Sequence, residues 1–219
     1  MKKNKGVLFD LDGTLLDTAN DLGEALNYVL QNRGLNPVSR ERYRPVASDG
    51  SKGLLELGFG ERINEFDFDE LREEFLTRYE QNIAVHTSLY PNIELLLTSL
   101  NNMNIPWGIV TNKPENLSKI LVPKFPQFKQ CKVLIAGDTL AQRKPHPAPV
   151  LFACKQLAIA PKECIYVGDA PRDIEAGNRA NMYTIIAQWG YILDVNDCKN
   201  WQADAITLNP LDILTTIKP

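Results

Sequence analysis

No apolar run in this sequence approaches the length needed to cross a membrane. The start, Met1-Lys2-Lys3-Asn4-Lys5, has the charge of a signal-peptide n-region, but the apolar stretch behind it stops at Asp10, too soon for an h-region. Basic excess is also missing. Lys and Arg number 24 against 27 Asp and Glu, a net charge of -3, so general nucleic-acid binding is not expected. An anionic ligand would have to meet local cations or backbone amides instead. Cysteine is sparse. Cys131, Cys154, Cys164 and Cys198 show no CxxC spacing, and Cys154 and Cys164 sit in apolar runs, so buried free thiols in a reducing cytoplasm are expected. There is no internal repeat or low-complexity segment. The nearest dinucleotide-type pattern, Gly58-Phe59-Gly60, lacks a third glycine and a preceding strand.

What is present is 219 residues at 44% hydrophobic content, enough for one large domain or for a core with an inserted module. Residues 18–33 carry Leu22, Ala25, Leu26, Val29 and Leu30 at helical spacing, with Gly34 as a stop. Pro37 and Pro45 break that pattern. A short helix is expected over 51–58, behind a Ser-Asp-Gly-Ser turn. Asp69 is the expected cap of a further helix with the stripe Leu71, Phe75, Tyr79 and Ile83. No strand stands out between 18 and 86, which suggests a separate all-helical module.

From Pro91 onward helix and strand alternate. Helices are expected at 93–100, 115–122, 148–157, 174–180 and 210–217. Strands are expected at 106–110, 133–136, 165–167, 184–187 and 205–207. With the apolar run Val7-Leu8-Phe9, this predicts an α/β fold around a mostly parallel sheet. The central apolar runs end in polar residues: Asp10, Thr111, Asp138 and Asp169. In an open parallel sheet all carboxyl ends lie along one edge, where ligands bind.

Asp10 and Asp12 flank one residue at a strand's end. Gly13 permits a tight turn there, and Thr14 can hydrogen-bond locally. Asp169, arriving from another strand, would complete a three-carboxylate cluster. Such a cluster calls for a cation, and hard oxygen ligands with room for water suit Mg²⁺; the alternative is that Asp169 only caps the helix that follows. A carboxylate attacking a phosphate dianion meets repulsion of roughly 8 kcal/mol at about 4 Å and an effective dielectric of about 20. A divalent ion offsets that, which ties the cluster to metal-assisted phosphoryl transfer. Lys144, in Arg143-Lys144-Pro145-His146-Pro147, is a rigidly placed ammonium for the phosphoryl oxygens and for Asp10. Thr111 and Asn112 offer a hydroxyl, an amide and turn N–H groups to phosphate, unless they form a plain strand-to-helix turn. Asp173, four residues after Asp169, reads as an outer metal-side ligand, an orienting partner for Lys144, or an acid placed by the helix dipole.

Together these residues resemble the haloacid dehalogenase superfamily of phosphatases. Its first motif, Asp-x-Asp-Gly-Thr-Leu-x-Asp, stands here as Asp10 to Asp17. The second matches Thr111-Asn112, the third Lys144, and the fourth Gly168-Asp169 through Asp173. The resemblance implies a Rossmann-like core over 1–17 and 87–219, with a helical, substrate-selecting cap over 18–86. It implies that Asp10 is the nucleophile of an aspartyl-phosphate, and that Asp12 is the acid and then the base. It implies Mg²⁺ held by Asp10, the Asp12 carbonyl and Asp169, and a phosphoryl group held by Thr111, Asn112 and Lys144. Ala170 departs from the hydroxyl residue often found after Gly-Asp. Within the superfamily the chain is similar to the phosphoglycolate phosphatase-type branch, and more narrowly to members acting on N-acetylmuramic acid 6-phosphate in peptidoglycan recycling. That narrower likeness lies in Leu71–Tyr79 with Ala84-Val85-His86, in Trp107–Pro114, Lys144–Leu157 and Trp189-Gly190-Tyr191, and in Asn200-Trp201. In the expected cap, Lys52 within Val46–Gly53 is a cation for a substrate carboxylate and Arg44 a second; otherwise this stretch is a turn with Ser51 capping a helix. The expected activity is hydrolysis of a small carboxylated organic phosphate. A phosphomutase and a non-catalytic phosphate-binding module are the alternatives.

Overall fold

A computed structural model describes residues 5–217. The lysine-rich start, Met1–Asn4, lies outside the described residues. The chain divides into two compact units, one formed by residues up to Leu16 and from Leu89 on, the other by Asp17–Ser88.

The first unit is built on a six-stranded sheet. In chain order its strands and those at the junctions are β1 (Gly6–Phe9), β2 (Leu16–Asp17), β3 (Ser88–Leu89), β4 (Trp107–Val110), β5 (Leu134–Ile135), β6 (Cys164–Gly168), β7 (Tyr183–Ala187) and β8 (Ala205–Thr207). The sheet order is β5-β4-β1-β6-β7-β8, parallel throughout, while β2 and β3 form a two-stranded pair of their own. β1, β4 and β6 are buried along their whole length, as expected of strands covered on both faces. The helices of this unit are α5 (Ile93–Asn102), α6 (Glu115–Leu121), α7 (Ala148–Gln156), α8 (Pro171–Arg179) and α9 (Ile213–Thr216). α7 packs on β4 and β5, and α8 on β6 and β7. One core cluster joins Leu8, Val110, Ile135, Val150, Tyr166 and Ala176, with Cys154 and Cys164 buried inside it as free thiols. From β1 the sheet grows in one direction through β4 and β5, then resumes on the other side with β6, β7 and β8. The carboxyl ends of β1 and β6 therefore flank a point where the connections diverge, the ligand-binding position of open α/β sheets.

The second unit is helical between its end residues: α1 (Ala19–Gln31), α2 (Arg40–Tyr43), α3 (Gly50–Phe59) and α4 (Phe68–Gln81), with 3-10 turns at Arg44–Asp49 and Gly60–Glu65. α1 buries Leu22, Ala25, Leu26, Val29 and Leu30, and α4 contributes Leu71, Phe75 and Tyr79 to the same core. Buried Asp21 closes the unit, accepting from the backbone N–H groups of His86 (2.8 Å) and Thr87 (3.0 Å). No described helix is long and apolar enough to cross a membrane.

Three local expectations are corrected. Asp67, not Asp69, caps α4: its carboxylate accepts from Asp69 N (2.8 Å) and Glu70 N (3.1 Å), so Asp69 already lies inside the first turn. Ser51 does not cap α3, which starts a residue earlier at Gly50, where φ is 64° and Asp49 is the N-cap residue. α8 begins at Pro171 rather than at 174, because proline at the first helical position costs no hydrogen bond. Asp67→Ala removes the oxygen that accepts from two N–H groups at an exposed cap and should lower unfolding free energy by about 1 kcal/mol. Denaturant titration checks this; an unchanged midpoint would show that water replaces the cap without loss.

Candidate active site

Every residue of this site belongs to the α/β unit. β1 delivers Asp10, whose backbone N–H donates to Val167 O at 2.9 Å and so fixes the end of β1 level with the end of β6. The turn after Asp10 folds back on itself, with Gly13 N donating to Leu16 O (2.9 Å) and Leu15 N to Leu11 O (3.0 Å). Gly13 has φ of 85°, and a Cβ there would overlap the Asp169 carboxylate. Gly190 is excluded from carrying a side chain for the same reason, since its Cβ would meet Asp169 and the Gly13 carbonyl. Two glycines thus let two backbone segments close around one acid.

Lys144 is fully buried among acceptors. Its Nζ lies 2.9 Å from Asp10 Oδ1, 2.7 Å from Asp173 Oδ1, 2.8 Å from Tyr166 OH and 2.8 Å from the Val110 carbonyl. Four acceptors share three N–H groups, so the ammonium has no rotational freedom left. The Lys144 backbone is clamped by Asn112, whose Oδ1 accepts from Lys144 N (3.0 Å) and whose Nδ2 donates to Lys144 O (2.9 Å). The Asn112 carboxamide therefore positions Lys144 here. Thr111 Oγ1 accepts from Lys113 N at 3.1 Å. Asp138, also expected at this edge, accepts from Glu115 N (2.7 Å) at the start of α6.

Asp10, Asp169 and Asp173 are all buried, and one oxygen from each lies within 4.8 Å of the others. Asp169 accepts from Thr14 Oγ1 (2.9 Å) and from Tyr191 N (3.0 Å). The Thr14 hydroxyl was expected to bond locally; it reaches across 155 residues instead, because the turn around Gly13 points it at the end of β6. Trp189 Nε1 in turn donates to Thr14 O at 2.9 Å. Burial, then the Asp10 and Asp173 charges, push the Asp169 carboxyl up to about 7. Burial and the Asp10 charge also raise Asp173, against the pull of Lys144. Asp173 serves two of its expected roles at once, since Oδ1 meets Lys144 while Oδ2 accepts from Ala170 N (3.0 Å) at the start of α8. The donor set fits a hard divalent cation, because it consists of carboxylate oxygens alone and carries more negative charge than one ammonium neutralises.

Asp12 stands apart from the three-acid cluster and is partly exposed. Its carboxylate is paired with Lys113, whose Nζ lies 3.0 Å from Oδ1 and 3.3 Å from Oδ2. Sequence reasoning did not single out Lys113 or Tyr166. Lys113 directly follows Thr111-Asn112 and could have been found from that adjacency. Tyr166 sits within an apolar strand run and offered no signal of its own. In the helical unit, Lys52 is exposed and lies 3.8 Å from Glu56, while Arg44 and Arg40 lie 3.6 and 3.7 Å from Asp17.

Residues 7–187 match the family profile of haloacid dehalogenase-like hydrolases. The chain is 42% identical over 210 residues to the phosphoglycolate phosphatase of Xanthomonas campestris pv. campestris (strain 8004), covering 96% of this chain and 95% of that one. It is 36% identical over 213 residues to the N-acetylmuramic acid 6-phosphate phosphatase of Pseudomonas aeruginosa, covering 97% and 94%. The crystal structure of a predicted phosphoglycolate phosphatase from Haemophilus somnus 129PT superposes with a TM-score of 0.89 at 26% identity, covering both chains completely. With its parallel sheet, its strand-end acids and a profile match over most of its length, the chain belongs to the haloacid dehalogenase-like hydrolase family.

Proposed function

We propose that the protein is a Mg²⁺-dependent phosphomonoesterase that works through an aspartyl-phosphate on Asp10. The observation that carries this reading is the placement of Asp10 Oδ1, 2.9 Å from a fully buried ammonium and beside two further buried carboxylates. Asp10 would attack phosphorus in line with the leaving oxygen, and Asp12 would protonate that oxygen as the P–O bond breaks. Asp12 would then take a proton from water attacking the Asp10 phosphoryl group, which releases inorganic phosphate and restores both acids. Lys144 offsets charge on Asp10 and on the phosphoryl oxygens, and the Thr111 hydroxyl and the Asn112 N–H would offer further donors. Asp10, the Asp12 carbonyl and Asp169 would hold the ion, with Asp173 in support. When bound, the ion supplies charge neutralisation that lets a carboxylate approach a phosphate dianion.

The substrate class is a small carboxylated organic phosphate of the 2-phosphoglycolate or N-acetylmuramic acid 6-phosphate type, the two named for the relatives above. Substrate choice is assigned to the helical unit, with Lys52 and Arg44 as its cationic candidates. A phosphomutase would use the same acids but must shield the phosphoryl group from water, so free phosphate as the product separates the two.

Three outcomes are expected. Asp10→Asn should reduce phosphate release to the uncatalysed level in a phosphate-release assay, and substantial remaining turnover would remove Asp10 from its role. Asp12→Asn should lower kcat by about 10²–10⁴-fold; a loss under about tenfold would remove acid–base catalysis from Asp12. The third concerns pH. An unfolded aspartate titrates at about 3.9, so between there and about 7 the folded metal-free chain holds the extra proton on Asp169. The contribution of this group to stability therefore falls as pH rises through that window. A cation must displace the proton, so the rise in Tm on adding Mg²⁺ to chelator-treated protein should be larger above pH 7 than below it, and should shrink in Asp169→Asn. A pH-independent rise would place the ion elsewhere.

A further inference from the structure

Lys113 is a buried cation that the mechanism above does not use. Its side chain is 5% exposed, and its Nζ straddles both oxygens of Asp12 at 3.0 and 3.3 Å. The position is built rather than incidental. Lys113 N donates to Thr111 Oγ1, and Lys113 O accepts from Gly137 N at 2.9 Å and from Ser118 Oγ at 3.4 Å. The backbone is therefore fixed on both sides of the residue, and the ammonium is held against Asp12.

The two lysines of the site are not equivalent. Lys144 is saturated by Asp10, Asp173, Tyr166 and Val110, so it belongs to the nucleophile. Lys113 belongs to Asp12, the group that faces the leaving oxygen in the reaction proposed above. A cation there lies on the leaving-group side of the phosphorus. It can meet an anion of the substrate only if that anion sits close to the ester oxygen that Asp12 serves. In the phosphate ester of a 2-hydroxy acid, one carbon separates the ester oxygen from the carboxylate carbon. An ammonium with three donors can bond that carboxylate and Asp12 together. In a sugar 6-phosphate bearing its acid on a distant ring substituent, many bonds intervene, and one ammonium cannot serve both.

We propose that Lys113 reads the carboxylate of the leaving group, and so makes phosphate esters of small 2-hydroxy acids the preferred substrate class. The inference rests on the phosphomonoesterase reading and adds to it a discrimination made inside the α/β unit. Asp12 also receives something from this arrangement: a substrate carboxylate that draws Lys113 toward itself loosens the pair that holds the Asp12 side chain.

The test is a cycle between two enzymes and two esters. 2-Phosphoglycolate is compared with 2-hydroxyethyl phosphate, which has the same chain length with a hydroxyl in place of the acid. Lys113→Met should lower kcat/KM for both, and for 2-phosphoglycolate by at least about tenfold more, mostly through KM, since a charged partner is lost only there. Lys113→Arg should restore a good part of the preference. Equal losses on the two esters would show that Lys113 acts only through Asp12 and would overturn the proposal. A second measurement does not depend on turnover: calorimetric binding of 2-phosphoglycolate to Asp10→Asn should weaken at least about tenfold when Lys113→Met is added, and unchanged binding would also overturn the proposal. No phosphate release from either ester by the unaltered enzyme would count against the phosphatase reading instead.

Discussion

One buried ammonium shared among carboxylates is the constraint on which the rest of the α/β unit depends. Taking an ammonium out of water costs several kcal/mol, and that cost is offset only where geometry and hydrogen bonds are nearly complete. Lys144 meets the condition with four acceptors drawn from the ends of β1 and β4, the middle of β6 and the first turn of α8. The same arrangement leaves the acids under-compensated. Asp10, Asp169 and Asp173 face one another while buried, and the raised Asp169 and Asp173 carboxyls follow from burial and mutual repulsion. A site that stabilises its cation while leaving negative charge over would suit a second, divalent one.

The sheet makes this crowding affordable. Asp10 and Asp169 are 159 positions apart in the sequence, yet β1 and β6 are adjacent and in register, with Phe9 opposite Val167. Parallel strands put their carboxyl ends on one edge, and the divergence of the connections at β1 and β6 opens a crevice there. Tyr166 shows how core and site are the same structure. Its ring lies in the cluster of Leu8, Val110 and Ala176, while its hydroxyl accepts from Lys144 and donates to Val110 O at 2.9 Å. The closely packed turns come from glycine, where Gly13 and Gly190 admit the Asp169 carboxylate between them.

Much of this could be read from the chain alone, for physical reasons. Apolar runs that end in acids are strong signals because in a parallel sheet covered on both faces they bring those acids to one edge. That pattern located Asp10, Thr111, Asp138 and Asp169, and the alternation of helix and strand located the sheet. Periodicity also placed α1 within two residues at either end, and found the stripe of α4 except for Ile83, which lies beyond its last residue. What stayed hidden depended on contacts between distant segments. Thr14 reads as a turn residue until Asp169 is beside it. The Asn112 carboxamide reads as a phosphate ligand until the Lys144 backbone takes both of its ends. Tyr166 reads as core because nothing in an apolar strand run marks one residue out, whereas Lys113 was within reach through its adjacency to Thr111-Asn112. The cap of α4 was misplaced by two residues because Asp67 and Asp69 have equal propensity and only the backbone geometry chooses between them.

In the proposed reaction Asp10 and the acid cluster form one centre, in which a phosphoryl group would be received on Asp10 beside a divalent ion. A crystal structure of the protein soaked with Mg²⁺ and beryllium fluoride, which mimics a phosphoryl group on a carboxylate, tests this most directly. The account predicts density for the fluoride complex joined to an Asp10 carboxylate oxygen, with the ion between it and Asp169 and with Lys144 in contact. An ion or fluoride complex bound elsewhere, with the Asp10 carboxylate still accepting from Lys144 Nζ and from Leu11 N (2.7 Å), would overturn this reading.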